Sequence, residues 1–218
     1  FPNGKTVIVG LGMYWVLIPY IHGHALHYSN DQDRNDAIRI MNKFHNQSKG
    51  ISIENKLLKP PLYLKWQRRM EKLYQTKTLM GNYGYQGLYD DIERIYKQGL
   101  RAFEQLDWHQ LEQNCVQQST WIHGDVASHN FLRDKNNQVH LIDFDLLSLS
   151  PLLYDYIQLG QRFLPFINWN LEELVNTFEW IEDDLVHSWL LGVSIPSDVI
   201  REWWYFSMRD NSHDDYVN

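Results

Sequence analysis

Two short apolar segments, Phe131–Arg133 and Val139–Ile142, flank the polar run Asp134 to Gln138, and this arrangement constrains the chain more than any other feature. A polar turn of that length between strand-like segments predicts an antiparallel hairpin. Pairing the strands sets the residue just before the first, Asn130, beside the residue just after the second, Asp143. Asp125 lies one turn earlier, in the loop that leads in. Three oxygen-bearing side chains therefore converge at one end of a rigid scaffold.

Oxygen ligands of this kind suit Mg²⁺, which prefers octahedral geometry and keeps waters and substrate phosphates in its shell. A carboxylate beside such a site can accept the proton of an incoming hydroxyl. Phosphoryl transfer needs both parts. The residues thus predict a nucleotide-dependent kinase site.

Composition limits the rest. The chain has 218 residues, 20 Lys+Arg against 27 Asp+Glu and a formal net charge of −7. That length is one domain, or a domain plus a remnant of another, with enough apolar residues for a substantial core. The acidic balance, without long Lys/Arg runs, argues against nucleic acid or an anionic membrane as the main partner. Cys115 is the lone cysteine, so no internal disulfide or cysteine-based zinc site can form. The apolar stretch from Met13 to Ile21, interrupted by Pro19, is too short to span a bilayer and lacks the flanks of a signal peptide. The expectation is a soluble, cytoplasmic protein.

Asn3-Gly4 and Gly10-Leu11-Gly12 bracket the β-branched run Thr6–Val9 and precede Met13–Ile18, predicting two short strands joined by a tight turn. Pro19 ends the second. From Asn30 the pattern turns helical through Ala37, Ile38, Met41 and Phe44 or His45. A break at Pro60-Pro61 precedes a long helix over 88–106, and a further helix starts at the N-cap Asn170 and carries Leu174, Phe178, Ile181 and Leu185 inward.

His123-Gly124-Asp125, four residues, Asn130, and thirteen residues later Asp143 within Ile142-Asp143-Phe144-Asp145, resembles the aminoglycoside phosphotransferase and choline kinase superfamily. The resemblance implies an α+β, protein-kinase-like fold: a mainly helical C-lobe with a catalytic β hairpin and a remnant β hairpin of the N-lobe. It implies that Asp125 is the catalytic base, that Asn130 and Asp143 hold Mg²⁺, and that His123 props the loop. Asp145 would support the metal site, and Asp155, in Pro151-Leu152-Leu153-Tyr154-Asp155-Tyr156, would brace the catalytic loop. Val16 to Gly23 is similar to the last N-lobe strand and the hinge, where backbone groups of Pro19, Tyr20 and Ile21 would hold the adenine of ATP (or the base of GTP). Because Pro19 has no N–H, the donor there would be Ile21 or a neighbour. The implied organisation is 1–18 as the end of the N-lobe, 19–24 as hinge and 25–218 as C-lobe.

The family's glycine-rich loop and its strand lysine paired with a helix glutamate are not found in this sequence, which begins at Phe1. The expectation is that the phosphate-clamping half lies outside the chain; the other reading is a remnant with weak catalysis. The implied partner is a small molecule with a hydroxyl group, aminoglycoside-like, choline-like or other, and the oligomeric state is open. A non-catalytic kinase-like binding protein, such as a spore-coat-associated relative, is the alternative, and the intact Asp125, Asn130 and Asp143 speak against it. A protein kinase is disfavoured because 146–154 is too short for a long activation segment.

His22, His24 and His27 suit neither one helix face nor one strand face and read as packing or surface residues. Trp203-Trp204-Tyr205-Phe206 reads as core packing of a C-terminal helix before it reads as a cation cage. The acidic runs Glu172-Glu173 and Glu182-Asp183-Asp184 read as solvated helix faces.

Overall fold

The computed structural model describes residues 3–54, 57–105, 108–179, 181 and 183–214. Strands β1 (Val7–Gly10) and β2 (Met13–Val16) pair antiparallel, with Val7 opposite Val16 and Gly10 opposite Met13. Leu11 and Gly12 between them both take positive φ, 55° and 74°, which matches the right-handed twist of the flanking strands. Among the described residues the pair joins no other strand.

After an extended segment comes β3 (Gly23–Ala25), then helix α1 (Asp31–Ser48). Asn30 caps α1 by accepting from the Asp33 N–H, and Asp31 and Asp33 lie in its first turn, where the helix dipole favours negative charge. Helices α2 (Leu62–Gln75), α3 (Lys77–Asn82), α4 (Gln86–Glu104) and α5 (Trp108–Gln118) follow, and Pro61 sets the entry to α2. The segment from 121 to 149 supplies β4 (Trp121–Ile122), β5 (Phe131–Asp134), β6 (Val139–Leu141) and β7 (Ser148–Leu149). Helices α6 (Leu153–Phe163), α7 (Leu171–Thr177), α8 (Asp183–Ser194) and α9 (Ser197–Asp214) complete the order.

The expected hairpin is β5–β6, with Phe131 opposite Leu141 and Arg133 opposite Val139. It is part of a larger sheet: β3 pairs with the other edge of β5, Gly23 opposite Asp134 and Ala25 opposite Leu132. Gly23 is obligatory there, since a Cβ would meet the Arg133 carbonyl oxygen at 2.6 Å. β3 therefore occupies the end of the segment expected as hinge. β4 pairs separately with β7, so the chain entering and the chain leaving the 123–147 segment are tied together.

Helices pack around this small sheet, α6 against α8, α4 against α8 and α2 against α9. α6 is the most enclosed; Tyr154, Asp155, Tyr156, Ile157, Leu159 and Phe163 are all buried. The helix expected from Asn170 to Leu185 is two helices. Phe178 leaves α7 with φ −110° and ψ 28°, and the Ile181 N–H closes a turn on its carbonyl at 2.9 Å. Phe178 and Ile181 stay buried across the break, so the apolar spacing ran through it unchanged. The expected helix end Leu106, and Glu182 of the second acidic run, lie outside the described residues.

Core packing of the C-terminal aromatic run holds only in part. Trp203 packs against the core and donates its indole N–H to Thr76 Oγ1 at 2.9 Å, whereas Tyr205 and Phe206 are 56% and 46% exposed. Four consecutive helical residues point to all sides, so they cannot share one buried face. Among the described residues, no helix is long and apolar enough to cross a membrane.

Candidate active site

The site is built outward from a buried carboxylate. Asp155, in the first turn of α6, is fully buried and accepts three hydrogen bonds: from the His123 N–H at 2.8 Å, the Gly124 N–H at 2.9 Å and His45 Nε2 at 2.9 Å. A charge without water needs such a donor set. His45, on the inner face of α1, is itself fixed by Tyr156, whose hydroxyl lies 2.6 Å from Nδ1 and 2.5 Å from Asn42 Oδ1. One carboxylate thus joins α1, α6 and the loop after β4.

His123 holds the loop from the other side. Its Nε2 lies 2.9 Å from the Ile142 carbonyl, which can only accept, so Nε2 carries the proton and Nδ1 accepts from the Asp125 N–H at 3.3 Å. The imidazole is fully buried, edge-on to Phe144 at 5.0 Å, and both its nitrogens are used internally.

Gly124 completes the turn at φ 81°, where a Cβ would meet the Leu146 carbonyl oxygen at 2.6 Å. Gly124→Ala is therefore expected to cost more than the ~1–2 kcal/mol of left-handed strain alone. Urea melts of the purified variant check this, and a loss below about 1 kcal/mol would mean that the loop relaxes freely.

Asp125 is half-buried, and one carboxylate oxygen, Oδ1, lies 3.2 Å from Arg162 Nη2 on α6. Asn130 is buried at the mouth of β5. Its Nδ2 donates to the Asp125 carbonyl at 3.0 Å, and its own carbonyl accepts from the Ile142 N–H at 2.9 Å. That last bond sets Asn130 next to Asp143 across the hairpin end. Asp143 is exposed and takes φ 65°, an uncommon conformation for a side chain other than glycine and one that recurs at functional sites.

Among the described residues, neither Asn130 Oδ1 nor the Asp143 carboxylate has a hydrogen-bond partner, leaving both free as oxygen ligands. No group of three or more His, Cys, Asp or Glu forms a protein cage for a metal among the described residues. Two protein oxygens fit an ion that keeps waters and substrate phosphates in its shell, as Mg²⁺ does.

The remaining expected residues stand apart. Asp145 is exposed, and its carbonyl receives Lys59 Nζ at 3.4 Å. Pro19 and Tyr20 are exposed, Ile21 is half-buried, and the Tyr20 ring stands edge-on to His22 at 4.7 Å. None of the three hydrogen-bonds the loop that carries Asp125 among the described residues. Conversely, the sequence did not single out His45 and Arg162 for the site. Both carry a signal: each is an ionisable residue at helical spacing from apolar ones, and Arg162 falls two turns after Asp155 on the same helix.

A family model described as the phosphotransferase enzyme family matches residues 4–178, from before β1 to just after α7. The chain belongs to that family. Its fold superposes, with a TM-score of 0.71 and 19% identity, on the crystal structure of an aminoglycoside phosphotransferase from Alicyclobacillus acidocaldarius subsp. acidocaldarius DSM 446. The match covers 91% of this family member and 63% of that chain. At that identity the likeness shows the fold, α+β and protein-kinase-like, and the helical packing described above is that fold's. A comparison with curated protein sequences finds no match.

Proposed function

We propose that this phosphotransferase-family protein transfers the γ-phosphoryl group of ATP, or of GTP, to a hydroxyl group of a small molecule. What supports the reading is that Asn130, bonded to the Asp125 carbonyl and set beside Asp143 by the Ile142 N–H, ends a loop that Asp155 and His123 pin from both sides. Preorganisation of this kind is most of what phosphoryl transfer asks of a protein.

In this reading Asp125 receives the acceptor hydroxyl, aligns its oxygen with the terminal phosphorus and takes its proton. Arg162 holds the Asp125 carboxylate in one orientation before the acceptor arrives. Asn130 Oδ1 and Asp143 would hold Mg²⁺, which when bound neutralises charge on the phosphates. Backbone groups around Pro19, Tyr20 and Ile21 would meet the nucleotide base, and Asp145 would add negative charge near the ion.

Titration of ATP into full-length protein, followed by thermal shift at several Mg²⁺ concentrations, tests the ligand set. Asn130→Ala and Asp143→Ala are expected to raise the Mg²⁺ concentration needed for ATP binding by about 10-fold or more, the scale on which even residues behind the ligands act. An unchanged Mg²⁺ requirement in both variants would remove them from the metal site.

A further inference from the structure

Beside the catalytic loop lies a cavity of about 390 Å³ between α2 and the β4 to α6 segment, with Gly124 in its wall. Five cationic residues line it: Lys59, Lys65, Arg68, Arg69 and Lys72. Among the described residues no Asp or Glu does, although the protein as a whole carries net charge −7. Four of the five come from α2, where positions 65, 68, 69 and 72 share one face by their three- and four-residue spacing.

The positive charge is only partly answered from within. Arg69 pairs with Asp198 at 3.1 Å and reaches Ser197, and Lys72 stands over the Trp204 ring at 4.9 Å. The Lys65 ammonium, half-buried, and the Arg68 guanidinium make no hydrogen bond or ion pair with any described residue. Burial first and the adjacent Arg69 charge second push Lys65 down to about 8, with Asp198 pulling upward. Arg162 adds to the downward push, and Asp125 opposes it. Lys65 therefore feels the field of both the proposed base and its arginine.

A second observation points into the same space. Ser148 lines the cavity, is 1% exposed, and its hydroxyl has no hydrogen-bond partner among the described residues. Buried hydroxyls are nearly always paired, so an unpaired one in a cavity wall is a place for a ligand atom.

We infer that this cavity is the acceptor subsite and that the acceptor is an anion, a hydroxyl compound bearing a carboxylate or phosphate group. The inference rests on the phosphotransferase reading above and names its substrate class. Lys65 and Arg68 hold the anionic end, Ser148 contributes a hydrogen bond, and the hydroxyl end reaches Asp125 past Gly124. The hydroxyl oxygen then bonds to the γ-phosphorus while the bond from that phosphorus to the β–γ bridging oxygen breaks. The hydroxyl proton passes to Asp125, and the nucleoside diphosphate leaves with the electron pair. A polycationic or quaternary ammonium acceptor would meet like charge at every basic wall residue, which unpaired cations at short range strongly disfavour.

The test uses full-length protein with Mg²⁺ and ATP and four acceptors: glycerol 3-phosphate and glycerate as anions, choline and kanamycin as cations. Binding of glycerol 3-phosphate without nucleotide is measured by calorimetry. The anions are expected to exceed the cations in kcat/KM by about 100-fold or more. Lys65→Met and Arg68→Gln should each raise KM for the anion about 10-fold with little change in kcat, the signature of a binding contact away from the reacting atoms. Thermal melts confirm that both variants fold.

Choline or kanamycin matching the anions would overturn the inference, as would failure of glycerol 3-phosphate to bind, or binding of it indifferent to both substitutions. Competition between glycerol 3-phosphate and ATP would also overturn it, by assigning the cations to the nucleotide. If glycerol 3-phosphate binds through Lys65 yet no acceptor is phosphorylated, the phosphotransferase reading itself has failed, and the acceptor role falls with it.

Discussion

Replacing Asp155 with alanine is expected to lower stability by about 2–6 kcal/mol, the scale for leaving two buried N–H donors without an acceptor. The physical reason is the number of groups that depend on this carboxylate. Its loss leaves the His123 and Gly124 N–H groups without an acceptor and His45 without a counterpart, all away from water. Each unsatisfied backbone donor costs about 1–3 kcal/mol. Asp155→Asn keeps one acceptor oxygen but turns an NH₂ group toward a donor, so it should fall between the wild type and alanine. Urea denaturation with the slope held constant reads the difference directly. A loss below about 1 kcal/mol for alanine would show that water replaces the carboxylate and that the loop does not depend on it.

Asp125→Ala should have the largest effect on turnover, about 10²–10⁴-fold in kcat, the range for losing a positioned general base. Nucleotide binding should survive, because Asn130 and Asp143 are untouched. Asp125 is half-buried and outside the core, so stability should change little, in contrast to Asp155. This pairing separates the two carboxylates: one variant folds and does not turn over, the other loses the fold of the loop. Full-length protein assayed for ADP release against its acceptor, with a thermal melt alongside, gives both numbers. Wild-type turnover in Asp125→Ala would move the base to another residue.

The center of the candidate site was legible because its geometry is local. Four residues separate Asp125 from Asn130, and a hairpin closes the distance from Asn130 to Asp143, so spacing and turn composition suffice. Asp155 came through the family resemblance, and the structure supplies the reason for its position: two N–H groups of the loop, 31 and 32 residues earlier, converge on it. His45 and Arg162 were not legible, since their contacts reach 110 residues to Asp155 and 37 residues to Asp125 and depend on how α1 and α6 pack. The strand β3 was hidden for another reason. Gly23-His24-Ala25 has no strand propensity of its own, and it is extended because the open edge of β5 takes its backbone. The α7–α8 break was masked by apolar spacing that stays in phase across it.

β3 also fixes where this molecule can bend. Its three residues are laddered to β5, and the close approach at Gly23 to the Arg133 carbonyl leaves no slack. Any swing of the segment before residue 23 against the helical body therefore has its fulcrum at the start of β3. The stationary arm of that lever is the strand that begins one residue after Asn130. A displacement at the β1–β2 end would reach the Asn130 and Asp143 oxygens strongly attenuated, so their spacing is set by the β3–β5–β6 sheet and not by where that end sits.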